Sequence, residues 1–194
     1  MTASSAAPSA AERALLSMKD EAEERARLER LVATHFSSIW RFLRRLGLPS
    51  ALADDAAQDV FLIASRRASE IRTGSEYAFL VGTALRVARG LRRKREREPV
   101  SDEVDVVVED FDATSPEQML DDQKMCALAY RLLEELDEDL RQLFVLYEIE
   151  GLTMPEIAQL TGLPLGTANS RLRRARQTFR LRFERHRKRL GGTR

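Results

Sequence analysis

Residues 150–176 read EGLTMPEIAQLTGLPLGTANSRLRRAR, and this stretch predicts two short helices joined by a tight turn. Thr153 can cap the first helix, and Glu156, three residues later, completes a capping box. Residues 162–164 (Gly-Leu-Pro) then separate the helices, because glycine and proline interrupt helical backbone. The inward positions of the second helix recur every three or four residues and are Ala168, Leu172, Ala175 and Phe179. The pattern is typical of a helix-turn-helix.

The second helix carries polar and basic side chains on its outward positions. They are Thr167, Asn169, Ser170, Arg171, Arg173 and Arg174. Arginine and asparagine in the early turns of such a helix can reach base edges in the major groove, and arginine and serine can bind phosphates. Residues 171–194 hold eleven Lys/Arg against Glu184 alone, a charge block that repels itself unless an anionic partner is present. We therefore expect duplex DNA as the partner; a helical hairpin with a solvated basic face is the alternative.

Length and composition exclude several other classes of protein. The 194 residues suffice for one ordinary domain or two small ones, and exclude a large catalytic barrel. One cysteine, Cys126, and two distant histidines, His35 and His186, offer neither a disulfide framework nor a cluster of metal ligands. The longest apolar run, residues 125–130, has six residues, whereas a membrane-spanning helix needs ~20. We expect no metal, no cofactor and a cytoplasmic location.

Charge is distributed in blocks along the chain, although the formal net charge is only +1. Residues 86–97 contain seven Lys/Arg and one acid, whereas residues 98–122 contain ten acids and no base. Because the acidic block has two prolines and no helical period, it is typical of an extended linker, with a short strand at 104–108 as the alternative. The sequence predicts an all-α protein of two small helical domains joined by a flexible acidic linker. The predicted divisions are a partly disordered N-terminal extension (1–27), a helical domain (28–97), the linker (98–123) and a second helical domain (124–190).

The first helical domain is predicted to begin with two amphipathic helices. Apolar residues recur at steps of three and four from Leu28 to Leu46, and the Gly-Leu-Pro at 47–49 ends that helix. The next helix turns alanines and a valine inward. Its outward positions in the first turns are Asp54, Asp55, Gln58 and Asp59. Such acids are either the solvated start of a helix or a surface for a basic partner helix, and the residues alone favour the former.

The third helix combines aromatic residues near its start with a basic end. The aromatic residues are Tyr77 and Phe79, and the arginines that follow are Arg86, Arg89, Arg92 and Arg93. Proteins that bind single strands use rings on which bases stack and cations that follow the phosphates. The alternative is that Phe79 simply belongs to the hydrophobic core.

Taken together, these motifs resemble a known family. The sequence DDAAQDVF at 54–61 is followed by an aromatic-Leu pair at 79–80, which opens a helix running into RGLRRKRER. An acidic linker ending in SPEQ and then the helix-turn-helix complete the order. Over about residues 28–185, the chain resembles the extracytoplasmic-function sigma factors of the bacterial sigma-70 family. The resemblance implies sigma region 2 in the first helical domain and sigma region 4 in the second.

The resemblance also implies a role for each motif. The candidates for binding core RNA polymerase are Asp54, Asp55, Gln58, Asp59 and Phe61. The candidates for reading the −10 element and holding the opened strand are Arg72, Tyr77, Phe79, Arg86, Arg89, Arg92 and Arg93. The six outward residues of the helix-turn-helix would contact the −35 element. Implied partners are core polymerase, promoter DNA and an anti-sigma factor, which can hold such a protein at the inner membrane; no enzymatic activity or small-molecule substrate is implied.

The chain departs from the family pattern where promoter DNA would be read. Phenylalanine at 79 stands where tryptophan is common, residues 83–86 read TALR where an Ile-Ala-Arg-Asn type is usual, and Asn169 stands where lysine is frequent. An unusual promoter preference is therefore expected. Two other classes stay open: a free-standing helix-turn-helix regulator that binds duplex DNA without polymerase, and a small enzyme using paired carboxylates. The DDAAQDVF helix is the discriminating feature, because a regulator needs no such surface and an enzyme would need further polar groups in a pocket.

Overall fold

The computed structural model describes residues 10–97 and 116–191 of the chain. Within these ranges seven α-helices account for most residues. In chain order they are α1 (Ala10–Arg45), α2 (Ser50–Arg66), α3 (Glu76–Arg97), α4 (Pro116–Glu134), α5 (Glu138–Phe144), α6 (Met154–Thr161) and α7 (Leu165–Gly191). A 3-10 turn at Ala68–Glu70 and a π-helical turn at Val145–Ile149 are the other elements, and the described ranges contain no strand. The prediction of an all-α fold is confirmed.

The N-terminal unit, α1–α3, is a three-helix bundle in which each helix contacts the other two. Its centre consists of fully buried side chains. They include Ile39, Phe42 and Leu43 of α1, Ala53, Ala56, Ala57 and Val60 of α2, and Leu80, Val81 and Ala84 of α3. Burial of these apolar side chains is the main favourable term in forming the bundle. The predicted inward face of the second helix is confirmed.

The C-terminal unit, α4–α7, is organised around α7, which contacts α4, α5 and α6. The predicted capping box begins α6: the Thr153 backbone N–H and hydroxyl donate to Glu156 Oε2 at 2.8 and 2.6 Å. Gly162 ends α6 with φ 72°, the left-handed conformation that lets the chain turn into α7. The buried residues that join the two helices are Ile157, Ala168, Leu172 and Ala175. The predicted helix-turn-helix is confirmed.

Two helices cross the predicted divisions of the chain. The first, α1, begins at Ala10 and continues without a break past residue 27, through a segment rich in the helix formers alanine, glutamate and arginine. The fourth, α4, begins at Pro116, inside the predicted linker, and proline suits the first position of a helix. Residues 1–9 of the predicted N-terminal extension, and the choice between tether and strand at 104–108, lie outside the described residues.

The two units pack against each other. Their buried apolar residues form one continuous cluster that includes Leu85 of α3 and Leu143 of α5. Gly82 of α3 lies so close to α6 that a Cβ added there would be 2.9 Å from Leu160 Cδ2. Gly47, which follows α1 with φ 93°, lies under α5 in the same way, because a Cβ added there would be 1.9 Å from Arg141 Nη1. This packing sets the basic end of α3 beside α5 and α7.

Candidate nucleic-acid interface

The start of α7 presents the side chains predicted to contact duplex DNA. Asn169, Ser170, Arg173 and Arg174 are exposed, and Thr167 and Arg171 are half-buried. The Asn169 side chain donates from Nδ2 to the Leu165 carbonyl oxygen at 3.0 Å, a bond to its own helix backbone. An amide has two N–H donors and one acceptor oxygen, so this bond leaves Asn169 capacity to pair with a base.

The arginines at the start of α7 differ in how they are held. Arg171 forms an ion pair with Asp139 of α5, with Nη1 and Oδ2 2.7 Å apart. Arg173 and Arg174 are exposed, and no acid among the described residues forms an ion pair with either. Exposed guanidinium groups without an ion-pair partner are suited to binding phosphates or base edges.

The next two arginines of α7, Arg176 and Arg180, are paired within the C-terminal unit. The Arg176 guanidinium donates to Glu148 Oε1 and lies over the Tyr147 ring, 4.8 Å from its centroid. The hydrogen bond with Glu148 raises the pKa of Arg176 above its ordinary value. Arg180 pairs with Glu184 one turn away, at 3.1 Å. Arg176 and Arg180 are therefore less available to DNA than Arg173 and Arg174 at the start of the helix.

The two aromatic side chains near the start of α3 are engaged within the chain. Tyr77 is half-buried, and its hydroxyl donates a hydrogen bond to Glu150 Oε2 of the C-terminal unit. Burial raises the pKa of the Tyr77 hydroxyl well above its usual range. Phe79 packs partly against the core, and the Arg67 guanidinium lies 5.5 Å from its ring centroid. Neither ring is an isolated stacking platform in this arrangement.

The arginines predicted to follow the opened strand lie along α3 and the loop before it. Arg72, Arg86 and Arg93 are exposed, and Arg89 and Arg92 are half-buried. Arg92 donates to the Leu46 carbonyl oxygen and pairs with Glu138 Oε1 of α5 at 2.5 Å. Arg86 donates to Thr83 Oγ1 at 3.1 Å, on its own helix.

A cavity of about 320 Å³ between the two units is lined by arginines from both. They are Arg89, Arg92 and Arg93 of α3 and Arg171 of α7. Glu138 and Asp139 of α5 lie among them. The structure therefore brings together residues that the sequence assigned to two separate promoter elements.

The acidic face of α2 lies on the surface of the N-terminal unit. Asp54, Asp55, Gln58 and Asp59 are all exposed. The Trp40 indole N–H donates to Asp54 Oδ1 at 2.7 Å, which ties the start of α2 to α1. Leu62, one turn beyond this face, is 49% exposed. Phe61, by contrast, is 8% exposed and stacks on Phe36, so the structure moves this candidate contact from the surface into the core.

Three acids of the C-terminal unit lie at the contact between the two units, and the sequence analysis did not predict them there. They are Glu138, Asp139 and Glu150. The Glu150 side chain is only 4% exposed, with Arg45 Nη1 3.6 Å from Oε1, and burial raises the pKa of this carboxyl above its ordinary value. Tyr77, its hydrogen-bond partner, is 73 residues away in sequence, so no local pattern indicates the contact.

Three further features of residues 10–97 and 116–191 concern the metal site, the membrane-spanning helix and the cysteine considered in the sequence analysis. No group of three or more His, Cys, Asp or Glu side chains there could hold a metal ion. No helix in these ranges is both long and apolar enough to cross a membrane. The cysteine, Cys126, is half-buried in α4.

Comparison with known proteins places both units in one family. The model of sigma-70 region 2 matches residues 31–98, and that of sigma-70 region 4 matches residues 127–179. The ECF RNA polymerase sigma-E factor of Escherichia coli K12 is 32% identical over 141 residues, which is 68% of this chain and 74% of that protein. The RNA polymerase sigma-H factor of Pseudomonas aeruginosa is 32% identical over 136 residues, 66% of this chain and 70% of that protein.

Solved structures share the fold. The sigma factor RpoE of Bartonella quintana, in complex with the anti-sigma factor NepR, has a TM-score of 0.63 at 21% identity, covering 80% of this chain and 96% of that one. CnrH, in complex with the cytosolic domain of CnrY, has a TM-score of 0.57 at 24% identity, covering 82% and 89%. Because region 2 is present beside the helix-turn-helix, a free-standing regulator is not favoured. The chain belongs to the extracytoplasmic-function sigma factors of the sigma-70 family, and it is an alternative RNA polymerase sigma factor that directs promoter-specific transcription initiation.

Proposed function

We propose that this sigma factor works through three surfaces. The acidic face of α2 binds core RNA polymerase, α3 reads the −10 element and holds the opened strand, and α7 reads the −35 element. The observation that carries the proposal is the segregation of charge, with exposed acids on α2 and exposed arginines at the start of α7. Surfaces of opposite sign select different partners. The polymerase performs the chemistry, and this chain contributes binding and positioning without catalysing a reaction.

The α2 face has the composition expected for docking on a basic amphipathic helix. Asp55 and Asp59 are exposed and four residues apart, hence neighbours on one helix face. The exposed side chain of Leu62 adds an apolar contact beside them. In this assignment Asp54, held by Trp40, fixes the start of α2, and Phe61 supports the face from the core.

The start of α7 is suited to a major groove. Arg173 and Arg174 can bind phosphates or guanine, and Asn169 can pair with adenine through its amide. Asn169 stands where the family frequently has lysine, so the substitution replaces a charge by a base-selective amide. We expect adenine at the base that Asn169 reaches.

The α3 surface is suited to an opened strand once Tyr77 and Arg92 are released from Glu150 and Glu138. Arg86 and Arg93 are exposed and can follow the backbone phosphates. Tyr77 and Phe79 supply rings for stacking, worth ~1–3 kcal/mol per base. Extracting a base from the duplex costs a few kcal/mol, so stacking of this size offsets much of that cost.

Membership of the family supports a division of the chain into regions, a further partner and a cellular location. We assign residues 28–97 to region 2, 98–123 to the linker and 124–190 to region 4, after an N-terminal extension at 1–27. An anti-sigma factor is proposed as a further partner, since the Bartonella sigma factor of similar fold was solved with one. Core polymerase as partner implies a cytoplasmic location, and a membrane-anchored anti-sigma factor would hold the chain at the inner membrane.

The polymerase-binding role is tested by fluorescence anisotropy of the labelled chain titrated with purified bacterial core RNA polymerase. The variant Asp55→Lys/Asp59→Lys should lose binding, because it turns cations toward a basic partner. The matched control, Glu23→Lys/Glu24→Lys, reverses two exposed acids of α1 and should bind like the wild type. Circular dichroism checks that both variants fold. Retained binding by the α2 variant would contradict the assignment of that face, and absence of binding by the wild type would contradict the polymerase-binding role itself.

A further inference from the structure

The cavity between the two units concentrates guanidinium groups from two helices. Its charged lining consists of four arginines and two acids: Arg89, Arg92 and Arg93 of α3, Arg171 of α7, and Glu138 and Asp139 of α5. Because four cations face two anions, the lining carries two positive charges in excess. Like charges gathered in a concave site repel one another and attract an anion of opposite sign.

The excess charge belongs to Arg89 and Arg93. The other two arginines of the lining, Arg92 and Arg171, are paired with the two acids at 2.5 and 2.7 Å. Among the residues that the structure describes, no carboxylate forms an ion pair with Arg89 or Arg93. A guanidinium carries five N–H donors in a planar fork that fits phosphate oxygens. These two groups therefore give the cavity its capacity for a phosphate.

A buried polar side chain lines the same cavity from α5. Gln142 is only 5% exposed, although it stands beside Leu143 in a helix whose inner face is apolar. Within residues 10–97 and 116–191, no hydrogen bond joins the Gln142 amide group to another residue. Buried polar groups usually have a hydrogen-bond partner, and an amide has two N–H donors. The Gln142 amide is therefore available to an oxygen atom of a ligand in the cavity.

The size and the acids of the cavity favour a small ligand over a nucleic-acid strand. Its volume is about 320 Å³, within the range of ~300–1,000 Å³ that small-molecule sites have. A strand carries a phosphate at every nucleotide, so Glu138 and Asp139 would repel the phosphates that follow the bound one. A molecule with one phosphate group avoids this repulsion. Leu163 offers an apolar contact to the rest of such a molecule.

We propose that this cavity is a binding site for a small phosphate-bearing molecule. Arg89 and Arg93 pair with the phosphate oxygens, and Gln142 donates a hydrogen bond to one of them. A phosphate monoester carries a charge of about −1.5 to −2 at neutral pH, which matches the excess charge of the lining. The site is independent of the promoter roles proposed above, because it is defined by the cavity and by Gln142, which has no promoter role.

The test is isothermal titration calorimetry of the full chain with two probes, inorganic phosphate and adenosine monophosphate. Sodium chloride at the same ionic strength is the reference, since salt screens non-specific attraction to exposed charges. We expect saturable binding of one phosphate group per chain. Tighter binding of adenosine monophosphate would identify a phosphate monoester as the ligand, and equal binding of the two probes would identify free phosphate.

Two variants locate the bound phosphate, each with a matched control. Gln142→Leu removes the amide and keeps a side chain of similar size, and Gln177→Leu makes the same change at an exposed position of α7. Arg89→Gln removes an unpaired cation of the cavity, and Arg187→Gln removes an exposed arginine of α7 outside it. Circular dichroism checks that all four variants fold. Arg89→Gln keeps the test decisive where Gln142→Leu does not fold.

Each cavity variant should weaken binding of the phosphate probes by about tenfold or more, because each removes a hydrogen bond to a charged group. Both controls should bind like the wild type. Absence of saturable binding by the wild type would overturn the proposal. Equal losses in Arg89→Gln and Arg187→Gln would overturn it as well, since they would indicate general attraction to a basic surface. Unchanged binding by folded Gln142→Leu would show that phosphate binds elsewhere.

A short oligothymidylate, titrated at the same total phosphate concentration, separates the site from DNA binding. We expect its affinity to be insensitive to Gln142→Leu. Loss of oligothymidylate binding in Gln142→Leu, with no binding of either small probe, would overturn the small-molecule site and assign the cavity to a nucleic-acid strand. Binding of the small probes without any binding of the oligonucleotide would support the site, and it would leave the promoter roles of α3 to be tested separately.

Discussion

Replacing Arg173 and Arg174 by alanine should reduce the salt dependence of DNA binding more than replacing Arg176 and Arg180. Each phosphate that a cation neutralises contributes about −0.9 to the slope of log Kobs against log salt concentration. Arg173 and Arg174 are exposed and unpaired among the described residues, so their loss should make the slope about 1.8 shallower. Arg176 and Arg180 are each paired with a glutamate, so they displace fewer counterions from DNA.

The difference is large enough to measure directly. Between about 50 and about 200 mM salt, a slope change of about 1.8 alters the loss of affinity by about tenfold. The assay is anisotropy of a labelled random-sequence duplex with the wild type and the two double variants across that range. Equal slope changes in the two double variants would refute the reasoning from local ion pairs. An unchanged slope in Arg173→Ala/Arg174→Ala would refute the phosphate contacts themselves.

Two further predictions concern contacts that position the functional helices. Trp40→Phe removes the indole donor to Asp54 and should lower the free energy of unfolding by ~1 kcal/mol in urea denaturation, with polymerase affinity retained; an unchanged midpoint would show that the bond contributes nothing. Thr153→Ala should lower the free energy of unfolding by ~1 kcal/mol, because α6 loses its N-terminal cap. Hydrogen bonds from Thr153 lower the pKa of Glu156 in the folded protein. Their contribution to the free energy of unfolding is therefore fully present above the ordinary glutamate pKa, and it is lost as the pH falls through the lowered pKa of the folded state. Urea melts from neutral to acidic pH should therefore show a weaker pH dependence in Thr153→Ala; a wild-type pH dependence in this variant would contradict the linkage.

The helix-turn-helix was predictable because its determinants are local. Thr153 and Glu156 form the capping box within one turn, and Gly162 adopts the left-handed conformation that its sequence position predicts. The apolar spacing of α7 follows from helix geometry alone. The family resemblance extended this reasoning to region 2 through the DDAAQDVF helix, and the match to sigma-70 region 2 confirmed it.

The interface between the units was not predictable, because its determinants are distant in sequence. Glu150 acquires its burial and its partner only when α3 of the other unit packs beside it. Phe61 illustrates the same limit on a smaller scale, since the family resemblance implies that it contacts polymerase. Packing against Phe36 of α1 decides instead that its ring is buried. Helical periodicity predicts which residues share a face, and tertiary packing decides what covers that face.

The placement of the three proposed surfaces implies an order in which their partners can reach them. Asp55 and Asp59 stay exposed while the units are packed, so core polymerase can reach α2 before any rearrangement. Tyr77 and Arg92, which the proposed function assigns to the −10 strand, are held by Glu150 and Glu138 in that same arrangement, so these contacts must break before the two side chains can bind a strand. A ligand shifts a conformational equilibrium only by its differential affinity for the two states. A ligand of α2 therefore separates the units only if it binds the separated arrangement more tightly than the packed one.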